Sequence, residues 1–134
     1  MTDHGKLCNA ILHASDRIQS VAVINKMGRA VERLPGPENG GKTHDKTTEM
    51  LYMQSVLQVS MGRDFDEHYG PINYYVSERA NATMLTFPLG DHVLLLTASK
   101  NSSPIHLARK VAAMIGESEK QDMSKLEGKL LVSA

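Results

Sequence analysis

The most chemically suggestive stretch of this chain is Gly36-Pro37-Glu38-Asn39-Gly40-Gly41-Lys42-Thr43, which satisfies G-x-x-x-x-G-K-[ST]. In a nucleotide-binding loop that spacing lets backbone N–H groups wrap the phosphates. Lys42 would reach the outer phosphates and Thr43 would hold magnesium. The motif works after a buried parallel strand, with an Asp at the end of a later strand to complete the metal site. Here the preceding segment, residues 29–34, alternates charge, and the later apolar run 93–96 ends in Thr97. The connections also read as hairpins, not the crossovers of a parallel sheet. Gly, Pro, Asn and Lys are common loop residues, so residues 36–43 are read as a loop, with nucleotide binding as an alternative.

The other reactive side chains form no recognisable site. His4, His13, His44, His68, His92 and His106 show no metal-ligand spacing and fall mostly at turns or helix starts. Arg63-Asp64-Phe65-Asp66-Glu67 gathers three acids without the glycine turn of a calcium loop, and reads as a solvated helix end. Cys8 shares an apolar stripe with Leu7, Ile11 and Leu12, and reads as a buried small hydrophobe. There is no G-x-S-x-G elbow and no His partner for the cysteine. No catalytic residue, cofactor site or metal site is assigned.

Composition narrows the class further. The 134 residues carry 15 basic and 15 acidic side chains, so the excess positive charge of a general nucleic-acid coat is missing. At 41% hydrophobic and 22% charged, the chain is not a disordered polyelectrolyte. The apolar runs at 21–24 and 93–96 are far short of the roughly 20 residues that span a bilayer. The start lacks the positive-then-apolar order of a signal peptide. One cysteine forms no intrachain disulfide and favours a reducing compartment. The expectation is a soluble, cytoplasmic protein that binds neither nucleic acid nor membrane.

The elements follow from periodicity and punctuation. Residues 3–15 read as a helix that Thr2 or Asp3 could cap. Ile18–Ile24 reads as a strand, apolar throughout its second half, and Asn25-Lys26-Met27-Gly28 as a hairpin turn into strand 29–34. A helix spans 45–62, with Thr43 or Asp45 as cap. Strands at 72–78, 82–89 and 92–99 form a meander separated by turn signals. Ser103-Pro104 opens a last helix whose face is Ile105, Ala108, Val111, Ala112 and Ile115, with Gly116 closing it. This gives a domain at 1–116 and a charged tail at 117–134, either a helix extension or frayed. The fold class is α+β, a five-stranded antiparallel sheet sandwiched by helices in the order α-β-β-α-β-β-β-α. Tyr74-Tyr75 would send one ring to the core and the other to a neighbouring strand.

The central helix is unusual. On a wheel, Met50, Tyr52, Met53, Val56, Leu57, Val59 and Met61 cover an arc of roughly 200°, wider than the ~100° stripe a one-sided surface helix needs. Ser60 interrupts the arc and Leu51 stands apart from it. One sheet cannot easily bury so wide a face, so either a second element of the same chain or a second copy covers the rest. The remaining helices are short and have their own sheet area to cover, so a second copy is expected. Cyclic twofold dimers are the commonest homo-oligomers, and a Met-rich face suits such a contact.

The element order resembles that of the roadblock (dynein light chain) family within the profilin-like group. The residues carrying it are Val21-Ala22-Val23-Ile24-Asn25-Lys26-Met27-Gly28-Arg29, the helix through Met61, and the strands 74–78, 82–89 and 93–99. Tyr75-Val76-Ser77-Glu78-Arg79, Leu85-Thr86-Phe87-Pro88-Leu89 and Leu94-Leu95-Leu96 also resemble small archaeal proteins of unknown function. The resemblance spans about residues 5–116; the long Pro/Gly loop departs from the tight roadblock connection. It implies a non-catalytic module that pairs through its central helix and the neighbouring strand, in many members a scaffold or regulator of small Ras-like GTPases. With the wheel, it gives a candidate dimer interface of Met50, Met53, Gln54, Leu57, Met61, Tyr74 and Val76. A rival reading is a small-molecule sensor, which would need a cavity between sheet and helix.

Overall fold

The computed structural model describes residues 3–36 and 46–133, with side chains described through Ser124 and at Leu126. The described elements are α1 (His4–Leu12), β1 (Ile18–Ile24), β2 (Ala30–Leu34), α2 (Lys46–Gly62), a short 3-10 turn (Arg63–Phe65), α3 (Asp66–Tyr69), β3 (Tyr75–Glu78), β4 (Thr83–Leu89), β5 (His92–Ala98) and α4 (Pro104–Ser133). The strands make one five-stranded sheet in the order β2-β1-β5-β4-β3, with every neighbouring pair antiparallel. This is the α+β architecture expected from the sequence.

The two most apolar strands, β1 and β5, sit side by side at the centre, as strands covered on both faces must. Val21 and Val23 of β1 and Leu94 and Leu96 of β5 point to one face, where they join Leu7, Cys8 and Ile11 of α1 and Val111 and Ile115 of α4. Ala22, Ile24 and Leu95 point to the other, beneath Tyr52 of α2, with Leu51, Val56 and Met84 around them. The sheet therefore separates α1 and α4 from α2.

Local chemistry fixes the joints. Asp3 caps α1, its Oδ1 accepting the Lys6 N–H at 3.0 Å. Asn25 organises the β1–β2 turn: its Oδ1 accepts from the Met27 and Arg29 amides at 2.9 and 3.1 Å, and its carbonyl accepts from Gly28. Gly28 sits at φ 79°, the left-handed region expected of a glycine in this turn.

Two boundaries differ from the sequence reading. Gly116 does not close the last helix, which continues to Ser133. A single Gly costs about 1 kcal/mol within a helix, and residues 117–133 hold no proline to stop it. The third strand begins at Tyr75, not at residue 72. Continued upstream, its register with β4 would set residue 73 against Pro88, which has no N–H for a ladder.

Candidate interaction surface

α2 carries its apolar residues on two opposed sides. Tyr52, Ser55 and Val59 are buried against the sheet. Met50, Met53, Leu57 and Met61 stay 71%, 38%, 52% and 67% exposed. At 100° per residue these four fall within an arc of roughly 80°, on the side away from the core. Gln54 is exposed beside them. The wide arc on the wheel thus divides into a buried half and an exposed stripe along the helix.

The β1–β2 hairpin meets α2 at its middle, and β3 meets it toward its C-terminal end. A Cβ placed on Gly28 would lie 2.9 Å from Met53 Cε and 3.3 Å from Met53 Cα. Glycine suits this close approach; a larger residue would have to displace the Met53 methyl and press on its Cα. The resulting groove, of ≈ 450 Å³, is lined by Met27, Arg29, Glu49, Tyr52 and Met53. Toward the C-terminal end, the Tyr75 hydroxyl donates to the Gln58 carbonyl at 3.3 Å, and a Cβ on Gly62 would overlap that same hydroxyl oxygen. Arg63 Nη2 donates to the Gly90 carbonyl at 2.9 Å, fastening the segment after α2 to the β4–β5 turn.

The stripe continues past α2. Phe65 and Tyr69 are exposed. With Met61, Ile72 and Tyr75 they line a predominantly apolar groove of ≈ 430 Å³. Residues 63–67 are the solvated helix end that the sequence suggests, and that reading leaves out the part Phe65 and the nearby Tyr69 play in the stripe. The signal was present in the spacing: Leu57, Met61, Phe65 and Tyr69 recur every four residues.

Beside this groove runs β3, an edge strand that pairs with β4 alone among the described residues. The opposite edge, β2, carries Glu32 and Arg33, meets β1 through a bulge and has α1 packed near it. All three are means of blunting an edge. β3 is regular and uncharged until Glu78.

Tyr74 and Val76 are placed differently from the helix residues of the candidate interface. Both are half-buried and pack against the core shared with α1 and α4; the Tyr74 ring lies 6.0 Å from that of Phe87. Strand alternation sends Tyr75, not its neighbours, to the α2 side. The second ring of the pair therefore meets a helix, where the sequence reading placed a neighbouring strand. Tyr74 and Val76 can serve an interface on β3 through main chain, with their side chains committed to the interior.

The remaining reactive groups are structural. Cys8 is fully buried, and burial, with a smaller contribution from Glu32, pushes its thiol up to about 11. The His4 and His92 rings meet at a tilt of 59°, their centroids 4.8 Å apart. Burial and the neighbouring His92 lower the His4 pKa, against the opposing pull of Asp3, Glu32 and Asp122. No group of three or more potential metal ligands occurs among the described residues. Of the phosphate-loop pattern only Gly36 is described; Pro37 to Thr43 lie outside the described residues, as do the proposed helix caps Thr43 and Asp45. The strand before the pattern is the edge strand of an antiparallel sheet, unlike the buried parallel strand that phosphate chemistry uses. A half-open groove of ≈ 300 Å³ does lie between sheet and α2, lined by Ser20, Ala22, Leu51, Tyr52, Leu95 and Thr97 among others. No helix among the described residues is long and apolar enough to cross a membrane.

No protein-family model and no curated protein matches the chain. Solved structures do. A Roadblock/LC7 domain from Streptomyces avermitilis superposes with a TM-score of 0.67 at 13% identity, over 91% of this chain and 99% of that one. The fold is that of the roadblock domain. MglB of Myxococcus xanthus is similar at TM-score 0.62 and 15% identity, over 90% of this chain and 94% of its own. The gliding protein MglB of Thermus thermophilus follows at 0.58 and 10%, with 87% of each chain covered. Such low identities leave the roadblock fold as the shared property. The side chains on the α2 stripe belong to this chain.

Proposed function

We propose that this roadblock-fold protein is a non-catalytic, cytoplasmic interaction module that works as a homodimer. Two copies pair through α2 and the β3 edge. The observation that carries this is the exposed row of Met50, Met53, Leu57 and Met61, lying opposite the helix's core-facing side. Its extension into the groove of Phe65, Tyr69 and Ile72 adds apolar area beside an open strand edge. In an antiparallel helix pair, Met50 of one copy meets Met61 of the other, and Leu57 sits near the twofold axis beside Gln54. Dispersed single hydrophobes on a surface need no explanation, but a row of neighbouring exposed apolar side chains running into an apolar groove favours a binding site.

The paired sheet-and-helix body would present a rigid face to a protein partner. The roadblock resemblance points to the small Ras-like GTPase class for that partner. Sedimentation equilibrium tests the self-association. The wild-type chain should behave as a dimer at micromolar concentration, and Leu57→Glu as a monomer of 14.7 kDa. A wild-type monomer under the same conditions would overturn the dimer. The partner class is tested separately by titrating purified small GTPases from the same cell, in GDP and GTP forms, against wild type and Leu57→Glu. Binding that requires one nucleotide state supports the assignment, and no binding to any of them removes it.

A further inference from the structure

The chemistry of the α2 stripe has a consequence for regulation of the same surface, and it rests on the dimer reading above. Three of its four apolar residues are methionines, and Met27 on the hairpin lines the groove beside Met53. Thioethers are oxidised by peroxides without prior ionisation. The product sulfoxide is polar and chiral, and disrupts Met-rich interfaces. The other redox-active side chain, Cys8, is fully buried inside the α1–sheet core, so the thiol is withheld and the thioethers are offered.

We propose that self-association of this protein is peroxide-sensitive: oxidation of Met50, Met53 and Met61 holds the chain as a monomer. A sulfur lone pair attacks one peroxide oxygen and the O–O bond breaks. The sulfur loses two electrons, the attacked oxygen gives up its proton to leave a sulfoxide, and the other oxygen departs as hydroxide and takes up a proton to become water. The dimer covers these sulfurs and the monomer bares them. Oxidation therefore proceeds through the dissociated chain and traps it. Reduction by methionine sulfoxide reductases restores the apolar row.

Met123 supplies an internal reference. It is 63% exposed and lies on α4, the helix whose buried residues pack on the sheet face opposite α2. Its reaction is thus independent of pairing through α2. The experiment treats the full chain with hydrogen peroxide at two protein concentrations, one above and one below the dimer dissociation constant. Sulfoxides are located by peptide mass spectrometry, and association is followed by sedimentation. Above the dissociation constant, Met123 should react first and Met50 and Met61 last; below it, all should react together. Stripe sulfoxides should weaken association by about 100-fold or more, and the reductase pair should reverse this. The M50L/M53L/M61L variant keeps the apolar surface and should remain a dimer after the same treatment. Dimers that persist with all three sulfoxides in place would overturn the redox proposal and leave the dimer standing, as would equal peroxide sensitivity in the Leu variant. An untreated chain that is monomeric throughout overturns both.

Discussion

Replacing Gly28 with Ala, set against the same change at Gly90, measures how the hairpin holds α2. Both glycines have positive φ, 79° and 58°. An Ala forced into that region costs about 1–2 kcal/mol, partly offset by about 0.4–1 kcal/mol from a stiffer unfolded chain. At Gly90 nothing lies within 4 Å of the new methyl, so Gly90→Ala should cost about 1 kcal/mol in all. At Gly28 the methyl meets Met53 Cε at 2.9 Å and Cα at 3.3 Å. The Cε can swing away, but the Cα moves only with the helix. Overpacking of this kind adds about 1–3 kcal/mol, which brings Gly28→Ala to about 2–4 kcal/mol. Urea unfolding of Leu57→Glu chains, used to remove any contribution from association, gives both values on one scale. A Met53→Ala background should recover part of the Gly28→Ala loss, the part due to Cε, and none of the Gly90→Ala loss. Equal costs at the two glycines would mean that the hairpin does not press on α2, and the reasoning about how the stripe is positioned would fail.

Leu57→Glu should leave the monomer's stability within about 0.5 kcal/mol, because its side chain faces away from the core. Full burial of a Leu is worth about 1.5–3 kcal/mol. With the residue already half covered, each copy should lose about 1 kcal/mol, so the dimer weakens at least about 30-fold before the cost of two apposed carboxylates is added. Gly116→Ala should raise the stability of α4 by about 0.5–1 kcal/mol, since its methyl would meet nothing within 4 Å; thermal unfolding reads the gain. The lowered His4 pKa makes the unfolded chain the better proton acceptor just below pH 6.5. Stability should therefore fall as pH drops from about 6.5 through the folded value. His4→Gln should flatten that slope in chemical denaturation, and an unchanged slope would refute the assignment to His4.

The core was legible because burial leaves a periodic trace. Ile18–Ile24 matches the expected strand end to end, since four consecutive apolar residues with a turn after them admit few other readings. The Asn25–Gly28 turn was equally plain, because a side-chain acceptor followed by a positive-φ glycine is specific chemistry. Placement of side chains on β3 was not legible. Tyr74, Tyr75 and Val76 are all large and apolar enough to face either way, and only the register against Thr86 and Leu85 decides which points to the core. Phe65 and Tyr69 escaped notice because the acids between them dominated the local composition, although their spacing prolongs the α2 row. The last helix runs past Gly116 to Ser133 for a thermodynamic reason. An isolated glycine such as Gly116 weakens a helix without terminating it when the flanking residues are good helix formers.

Backbone amide exchange followed as a function of protein concentration tests the central claim most directly, because β2 and β3 are the two edges of one sheet. If chains pair through α2 and β3, the amides of Tyr75–Glu78 and of the α2 stripe should slow together as concentration rises through the dissociation constant. Those of Ala30–Leu34 should exchange at a constant rate. Slowing at β2 instead of β3, or no concentration dependence at either edge up to high micromolar protein, would contradict the account.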